Sequence, residues 1–170
     1  MAGTGDTLAF PDGSDYTITQ SAGETGGSLV EMEILLPPNA VSPPLHIHPR
    51  QEEDYEVLQG SLDIHFEGSW MRLPEGESMT VPRGEAHTFR NSSGLRVRFR
   101  NVHRPAVGFQ DYLEEVHALT QEGKITSTTD PSSLMQLARL FEKYEDTIVP
   151  GKRGQRAVLG LLARVGRRKS

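Results

Sequence analysis

Polar and apolar residues alternate in short runs over the first three-fifths of the chain and then recur at spacings of three and four. A period of two puts successive side chains on opposite faces of a strand, whereas a three-four spacing builds one face of a helix. Asp15–Gln20 alternates and is rich in β-branched residues, so it reads as a first strand, with a turn over Gly23–Gly27. In Leu29–Leu36, Val30, Met32, Ile34 and Leu36 share a face while Glu31 and Glu33 take the other, the pattern of a sheet wetted on one side. Strands are also predicted over Glu53–Gln59, Leu62–Phe66, Trp70–Leu73, Ser78–Val81, Ala86–Arg90 and Arg96–Val102. In the last of these Arg96, Arg98 and Arg100 form a row opposite Val97 and Phe99, which reads as a solvated face or a set of partners for carboxylates.

Beyond His103-Arg104-Pro105 the period changes. Phe109, Tyr112, Leu113, Val116 and Leu119 mark one amphipathic helix, and Leu134, Leu137, Ala138, Phe141 and Tyr144 a second. The second has a start signal in Asp130 followed by Pro131 and a predicted stop at Pro150-Gly151. Val158, Leu161, Leu162 and Val165 mark a third, shorter helix. Three segments result: 1–14, polar and expected to fray; 15–106, a β-domain; and 107–170, a helical extension with a basic tail. No internal repeat is visible.

At 170 residues the chain suits one domain with an appendage, and 17 glycines with 11 prolines fit short strands joined by tight turns. The absence of cysteine excludes disulfides, thiolate metal sites and a cysteine nucleophile. No basic start followed by an apolar run opens the chain, and no apolar stretch approaches the ~20 residues that cross a bilayer. A cytoplasmic location is therefore expected. Seven of the 18 basic residues lie from Lys152 onward, where there is no acidic one, so the body carries 11 basic against 23 acidic residues. An acidic body argues against nucleic acid as partner. It also offers the basic last helix a docking surface, which is favoured here over an anionic membrane. The apolar stripes of the helices are expected to pack on the β-domain and into a homodimer.

Candidate chemistry concentrates between His46 and Asn91. His46 and His48 alternate along an extended segment and can present two imidazoles to one face, within reach of one metal ion. Pro49-Arg50 and Pro82-Arg83-Gly84 then turn the chain before Glu53 and His87, so three imidazoles and a carboxylate can converge from three strand ends. Tyr55 and Val57 share the face of Glu53, which makes Tyr55 either a catalytic or substrate-contacting residue or an aromatic that fills the interior. Signatures of other mechanisms, G-x-S-x-G, G-x-x-x-x-G-K-[ST] and a strand-to-helix G-x-G-x-x-G, are absent.

These residues resemble the two motifs of the cupin superfamily. The first is matched by His46, His48, Glu53 and Gly60 with the gaps intact, although its leading glycine is Ala40 here. The second is matched at every position by Gly76, Pro82, Gly84, His87 and Asn91. The resemblance covers about residues 15 to 104, with 15 residues from Ser61 to Glu75 between the motifs. It implies a mainly β fold, a jelly-roll β-barrel, here with a C-terminal α-helical extension. It implies one divalent transition metal (Fe, Mn, Ni or Zn) on His46, His48, Glu53 and His87, with Glu53 also catalytic. Glu52 is the rival carboxylate, but the six-residue step to Gly60 favours Glu53. His65 reads as a surface or second-sheet histidine, and His103 and His117 lack a ligand spacing to the motif. The implied activity is that of a metal-dependent oxygenase similar to quercetin-dioxygenase-like single-domain cupins, acting on a small organic molecule. A non-catalytic small-molecule binder and a metal-dependent isomerase or cyclase are the alternatives, because one barrel carries many functions.

Overall fold

The computed structural model describes residues 1–40, 43–127 and 130–151. Strands β1 (Thr7–Ala9), β2 (Asp15–Gln20), β3 (Val30–Leu36), β4 (His46–Ile47), β5 (Glu52–Gln59), β6 (Ser61–Phe66), β7 (Ser69–Pro74), β8 (Ser78–Val81), β9 (Ala86–Arg90) and β10 (Val97–Arg104) come first. Helices α1 (Phe109–Gln121) and α2 (Pro131–Lys143) follow, and β11 (Val149–Pro150) comes last. The strands form two antiparallel sheets, ordered β1-β2-β3-β10-β5-β8 and β11-β4-β9-β6-β7.

Alternation decides which side of each strand is buried. In β3 the residues Val30, Met32, Ile34 and Leu36 point inward and Glu31 and Glu33 outward. They meet Ile18, Tyr55, Val57, Val97 and Phe99 of their own sheet and Leu62, Ile64, Leu73 and Phe89 of the other in one core. The outward arginine row is absorbed by carboxylates: Arg98 reaches Glu33 at 3.1 Å, and Arg100 reaches Glu31 at 3.1 Å and Glu56 at 2.6 Å. Half-exposed pairs of this kind add little stability each. Gly60, between β5 and β6, has φ +83°, and a Cβ there would stand 3.0 Å from the Arg96 carbonyl oxygen, so both its backbone angle and its space require glycine.

The helical extension is anchored twice. Phe109 and Leu113 of α1 join the barrel core. Tyr112, Val116 and Leu119 pack against a smaller cluster of Ile125, Leu137, Leu140, Phe141 and Ile148. Asp130 caps α2 as the sequence predicts, its Oδ2 accepting from the Ser133 N–H at 2.8 Å.

Two expectations are corrected. The helix predicted to stop at Pro150-Gly151 ends at Lys143, and Val149 and Pro150 instead pair with Ile47 and His46 at the edge of a sheet. Proline lacks an N–H for a ladder, and an edge strand is where this is tolerated. The N-terminal segment expected to fray forms β1, and α1 ties it down. The Ala2 N–H donates to Glu114 at 2.8 Å, Gln110 donates to the Ala2 carbonyl at 2.6 Å, and Gln121 donates to the Ala9 carbonyl at 2.7 Å. The third helix over Val158–Val165 and the basic tail lie outside the described residues. Among the described residues no helix is long and apolar enough to cross a membrane.

Candidate metal centre

The two sheets bring four donors together from opposite walls. His46 on β4 lies directly across from His87 on β9, and His48 follows at the end of β4. Glu53 comes from β5 in the other sheet. One potential ligand atom from each of these residues lies within 4.8 Å of all the others, and all four side chains are buried. The Gly84 N–H donates to the His48 carbonyl at 2.9 Å, which ties the turn before β9 to the histidine strand. Gly84 has φ +87° in that turn, a backbone angle that glycine adopts without strain. Asn91, which closes the second motif, is structural: its Nδ2 donates to the Pro37 and Leu95 carbonyls at 2.8 and 2.7 Å.

Backbone carbonyls fix the tautomers of the three imidazoles. Nδ1 lies 2.8 Å from the Pro44 oxygen in His46, 2.6 Å from the Thr147 oxygen in His48 and 2.9 Å from the Glu85 oxygen in His87. A carbonyl only accepts, so each Nδ1 carries a hydrogen and each Nε2 is left facing the centre. The Nε2 of His48 is buried without a hydrogen-bond partner, although it is 3.3 Å from Glu53 Oε2. His87 Nε2 is 2.6 Å from the same oxygen. Burial and the adjacent His87 and His48 hold the proton affinity of His46 well below the usual histidine range, so its imidazole is neutral. Burial works the same way on His87, but the Glu53 charge and hydrogen bond outweigh it and raise its proton affinity. Burial opposes ionisation of Glu53, and the imidazoles around it outweigh that and hold its carboxyl well below the carboxylate range.

This donor set fits a divalent transition ion. It offers three imidazole nitrogens and one carboxylate oxygen, with second-sphere partners already in place. The four atoms already lie within 4.8 Å of one another, and binding one ion would draw them closer still, since two ligands about 2.1 Å from one ion are at most about 4.2 Å apart. The orphaned His48 Nε2 is the kind of buried polar atom such an ion would satisfy.

Tyr55 shares the inward face with Glu53 and Val57, as the alternation implies. Its ring packs beside Phe89 and Phe99, with centroids 5.9 and 6.0 Å away, and its hydroxyl is buried without a partner. Burial and the Glu53 charge push its ionisation well above the ordinary tyrosine value, so it stays protonated. Glu52 is exposed. His65 lies against Trp70, and His117 lies on α1 within reach of the Ala9 carbonyl, so neither joins the cluster.

His103 is the residue that sequence spacing misses. The strand expected to end at Val102 runs to Arg104, and His103 pairs in register with Glu53. Its Nε2 is 3.0 Å from Asn101 Oδ1, and Asn101 Nδ2 donates to Glu53 Oε1 at 2.8 Å. The carboxylate is therefore held at one oxygen by a His103-Asn101 relay and faces the histidines with the other. His103 is fully buried, its ring stacks on Phe109 at 3.5 Å, and burial pushes its proton affinity down to about 3. Carrying the alternation of Val97 and Phe99 on by four residues would have put Asn101 and His103 on the same inward face.

Comparison with known proteins agrees with this architecture. A family model described as the cupin domain matches residues 32–103. Over 92 residues the chain is 28% identical to the quercetin 2,3-dioxygenase of Bacillus subtilis (strain 168), covering 54% of this chain and 27% of that protein. Over 78 residues it is 32% identical to the tetracenomycin polyketide synthase protein TcmJ of Streptomyces glaucescens, covering 46% of this chain and 50% of that one. The crystal structure of a predicted oxalate decarboxylase from Thermotoga maritima superposes with a TM-score of 0.51 at 22% identity, covering 54% of this chain and 80% of that one. The chain thus spans half or less of the length of the curated relatives it matches. Residues 32–103 resemble the cupin domain.

Proposed function

We propose that this protein is a metal-dependent enzyme acting on a small organic molecule, as an oxygenase of polyhydroxylated aromatic compounds. The observation that carries the reading is the composition of the interior: beside four potential ligands it buries two further polar groups, Tyr55 and His103, each with an unpartnered polar atom. A pocket that only binds needs no such groups, whereas chemistry needs proton donors and acceptors near the reacting atoms. Similarity to a quercetin dioxygenase supports the same direction.

A divalent ion held by His46, His48, Glu53 and His87 would act as a Lewis acid toward a chelating oxygen and, if octahedral, would leave two positions for exogenous ligands. The remaining work belongs to the protein. The Nδ1–H donors hold the imidazoles in the ligating tautomer. Asn101 restrains Glu53 Oε1, so that Oε2 would be the oxygen left for a bound ion. Tyr55 stays protonated and donates a hydrogen bond to a substrate oxygen. His103 remains neutral, donates to Asn101 and sets the orientation of that amide. Burial of the whole set excludes water from reactive species.

The test is elemental analysis of the purified protein followed by oxygen-uptake assays against flavonols and related polyphenols. Stoichiometric metal and oxygen consumption that stops in Tyr55→Phe are expected. Similarity to the tetracenomycin polyketide synthase protein favours a second reading, rearrangement or cyclisation of an aromatic polyketide. Product formation without oxygen uptake would select it.

A further inference from the structure

The segment Thr147–Gly151 approaches the metal centre from the far end of the helical extension. Its Thr147 carbonyl accepts from His48 Nδ1 at 2.6 Å. The Thr147 hydroxyl, fully buried, donates to Gln51 Oε1 at 2.8 Å, and Gln51 Nε2 donates to the Pro105 and Ala106 carbonyls at 2.9 and 2.6 Å. Two residues further on, β11 pairs with β4 so that Pro150 lies opposite His46, and the Gly151 N–H donates to the Leu45 carbonyl at 2.8 Å. Both histidines of the first motif are therefore held by this segment, His48 through its ring and His46 through its strand.

From this geometry we infer that Thr147–Gly151 is a strap whose docking and the loading of the metal centre stabilise each other. The inference rests on reading the four-residue cluster as a metal centre. An imidazole ligates through Nε2 only while Nδ1 is protonated and the ring is correctly turned, and for His48 one acceptor sets both. The other two histidines take their carbonyls from within two residues of themselves, at Pro44 and Glu85. The acceptor for His48 lies 99 residues away in sequence, so its orientation depends on the extension being in place. Coupling between two sites is reciprocal: what the strap adds to metal affinity, the metal returns to strap docking.

Gly151 supplies a way to displace the strap without touching a ligand. A Cβ there would stand 2.7 Å from Leu45 Cγ and 3.1 Å from the Leu45 carbonyl carbon, so Gly151→Val wedges the segment off β4. Full-length apoprotein is titrated with Zn²⁺ against a chelator of known affinity, and hydrogen–deuterium exchange over the strap is followed with and without Zn²⁺. Zinc is expected to slow exchange in the wild-type strap. Gly151→Val should lower Zn²⁺ affinity about 10- to 100-fold, the usual effect of losing an outer partner of a ligand. Thr147→Val, which frees Gln51 but keeps the carbonyl, should lower it less. In the Co²⁺ forms the visible ligand-field bands should shift in Gly151→Val, which a merely structural role of the strap would not produce. Exchange indifferent to Zn²⁺ in a wild type that binds it overturns the coupling and leaves the metal centre standing, and so does unchanged affinity in a folded Gly151→Val. A wild type that binds no Zn²⁺ overturns both. The wild-type exchange experiment decides the matter even if a variant does not fold.

Discussion

The barrel and the helical extension contribute different things to the same centre. The barrel supplies all four side chains of the cluster that could hold a metal ion, three imidazoles and a carboxylate, and each depends on residue type. The extension supplies a backbone carbonyl at Thr147, which any residue carries, and an aromatic wall at Phe109, stacked on His103 and edge-on to His48 at 5.5 Å. Their interiors differ as well. The barrel core runs continuously from Leu8 to Phe99 and on into α1, whereas the extension has its own small cluster around Leu140 and Phe141. Donor chemistry is thus seated in the larger and more deeply buried unit, and the orientation of one donor is entrusted to the smaller one.

Removing a donor is the harshest way to break that division. His87→Ala takes a ligand from the wall opposite Glu53 and leaves the carboxylate without its 2.6 Å partner. Metal affinity should fall by more than the ~10–100-fold that loss of an outer partner costs. Mass spectrometry of the purified variant should find it largely metal-free while its far-ultraviolet dichroism stays that of the wild type. Retention of full metal content would remove His87 from the ligand set.

A truncation in the smaller core separates the two units instead. Leu140 is buried in the cluster of Ile125, Leu137, Phe141 and Ile148, and Leu140→Ala should cost about 2–4 kcal/mol. The chain has one tryptophan, Trp70 on β7 of the barrel, so fluorescence reports the barrel while dichroism at helical wavelengths reports α1 and α2. The two denaturation curves should coincide in the wild type and separate in Leu140→Ala, the helical signal leading. A shared transition in the variant would mean that the extension is no separate unit.

Gentler still is the cap of α2. Hydrogen bonds from the Ser132 hydroxyl and the Ser133 N–H lower the pKa of Asp130 below its ordinary value. A carboxyl with a depressed folded pKa contributes stability that is present above its unfolded pKa and lost as the pH falls through the folded one. Acidification from about pH 5 to pH 3 should therefore loosen α2 in the wild type more than in Asp130→Asn, a smaller change than that of Leu140→Ala and one readable in the helical dichroism.

What the sequence discloses follows the same line between local and distant causes. The four-residue cluster was legible because its residues are rare types at fixed short spacings, and β2, β8 and β9 because short runs between turn residues mark them. The start of α2 was written in Asp130-Pro131. Its end was not, because Val149 and Pro150 look like the tail of a helix until β4 offers an edge to pair with. The N-terminal segment looked free because its partners Gln110, Glu114 and Gln121 lie on α1, about a hundred residues on. His103 had the right face but no neighbouring histidine to draw attention to it, and the Thr147 carbonyl has no residue signature at all.

The finest comparison is between two adjacent glutamates. Glu52 and Glu53 both open β5, and one step along a strand reverses the face, so Glu52 is exposed and Glu53 buried against His48, His87 and Asn101. Glu53→Gln keeps one carbonyl oxygen as a donor but removes the negative charge. It also puts an amide N–H₂ either toward Asn101 Nδ2, where a donor would face a donor, or toward the centre in place of an oxygen. Metal binding should weaken, by less than in His87→Ala because one oxygen ligand survives. Glu52→Gln removes a solvated charge and no hydrogen bond of the centre, so metal affinity should be unchanged and stability should shift by no more than about 0.5 kcal/mol, the usual range for such surface changes. Both are read in the same competition titration. A larger loss of affinity in Glu52→Gln than in Glu53→Gln would mean that β5 is shifted by one residue in solution, and with it the inward faces of Tyr55 and Val57.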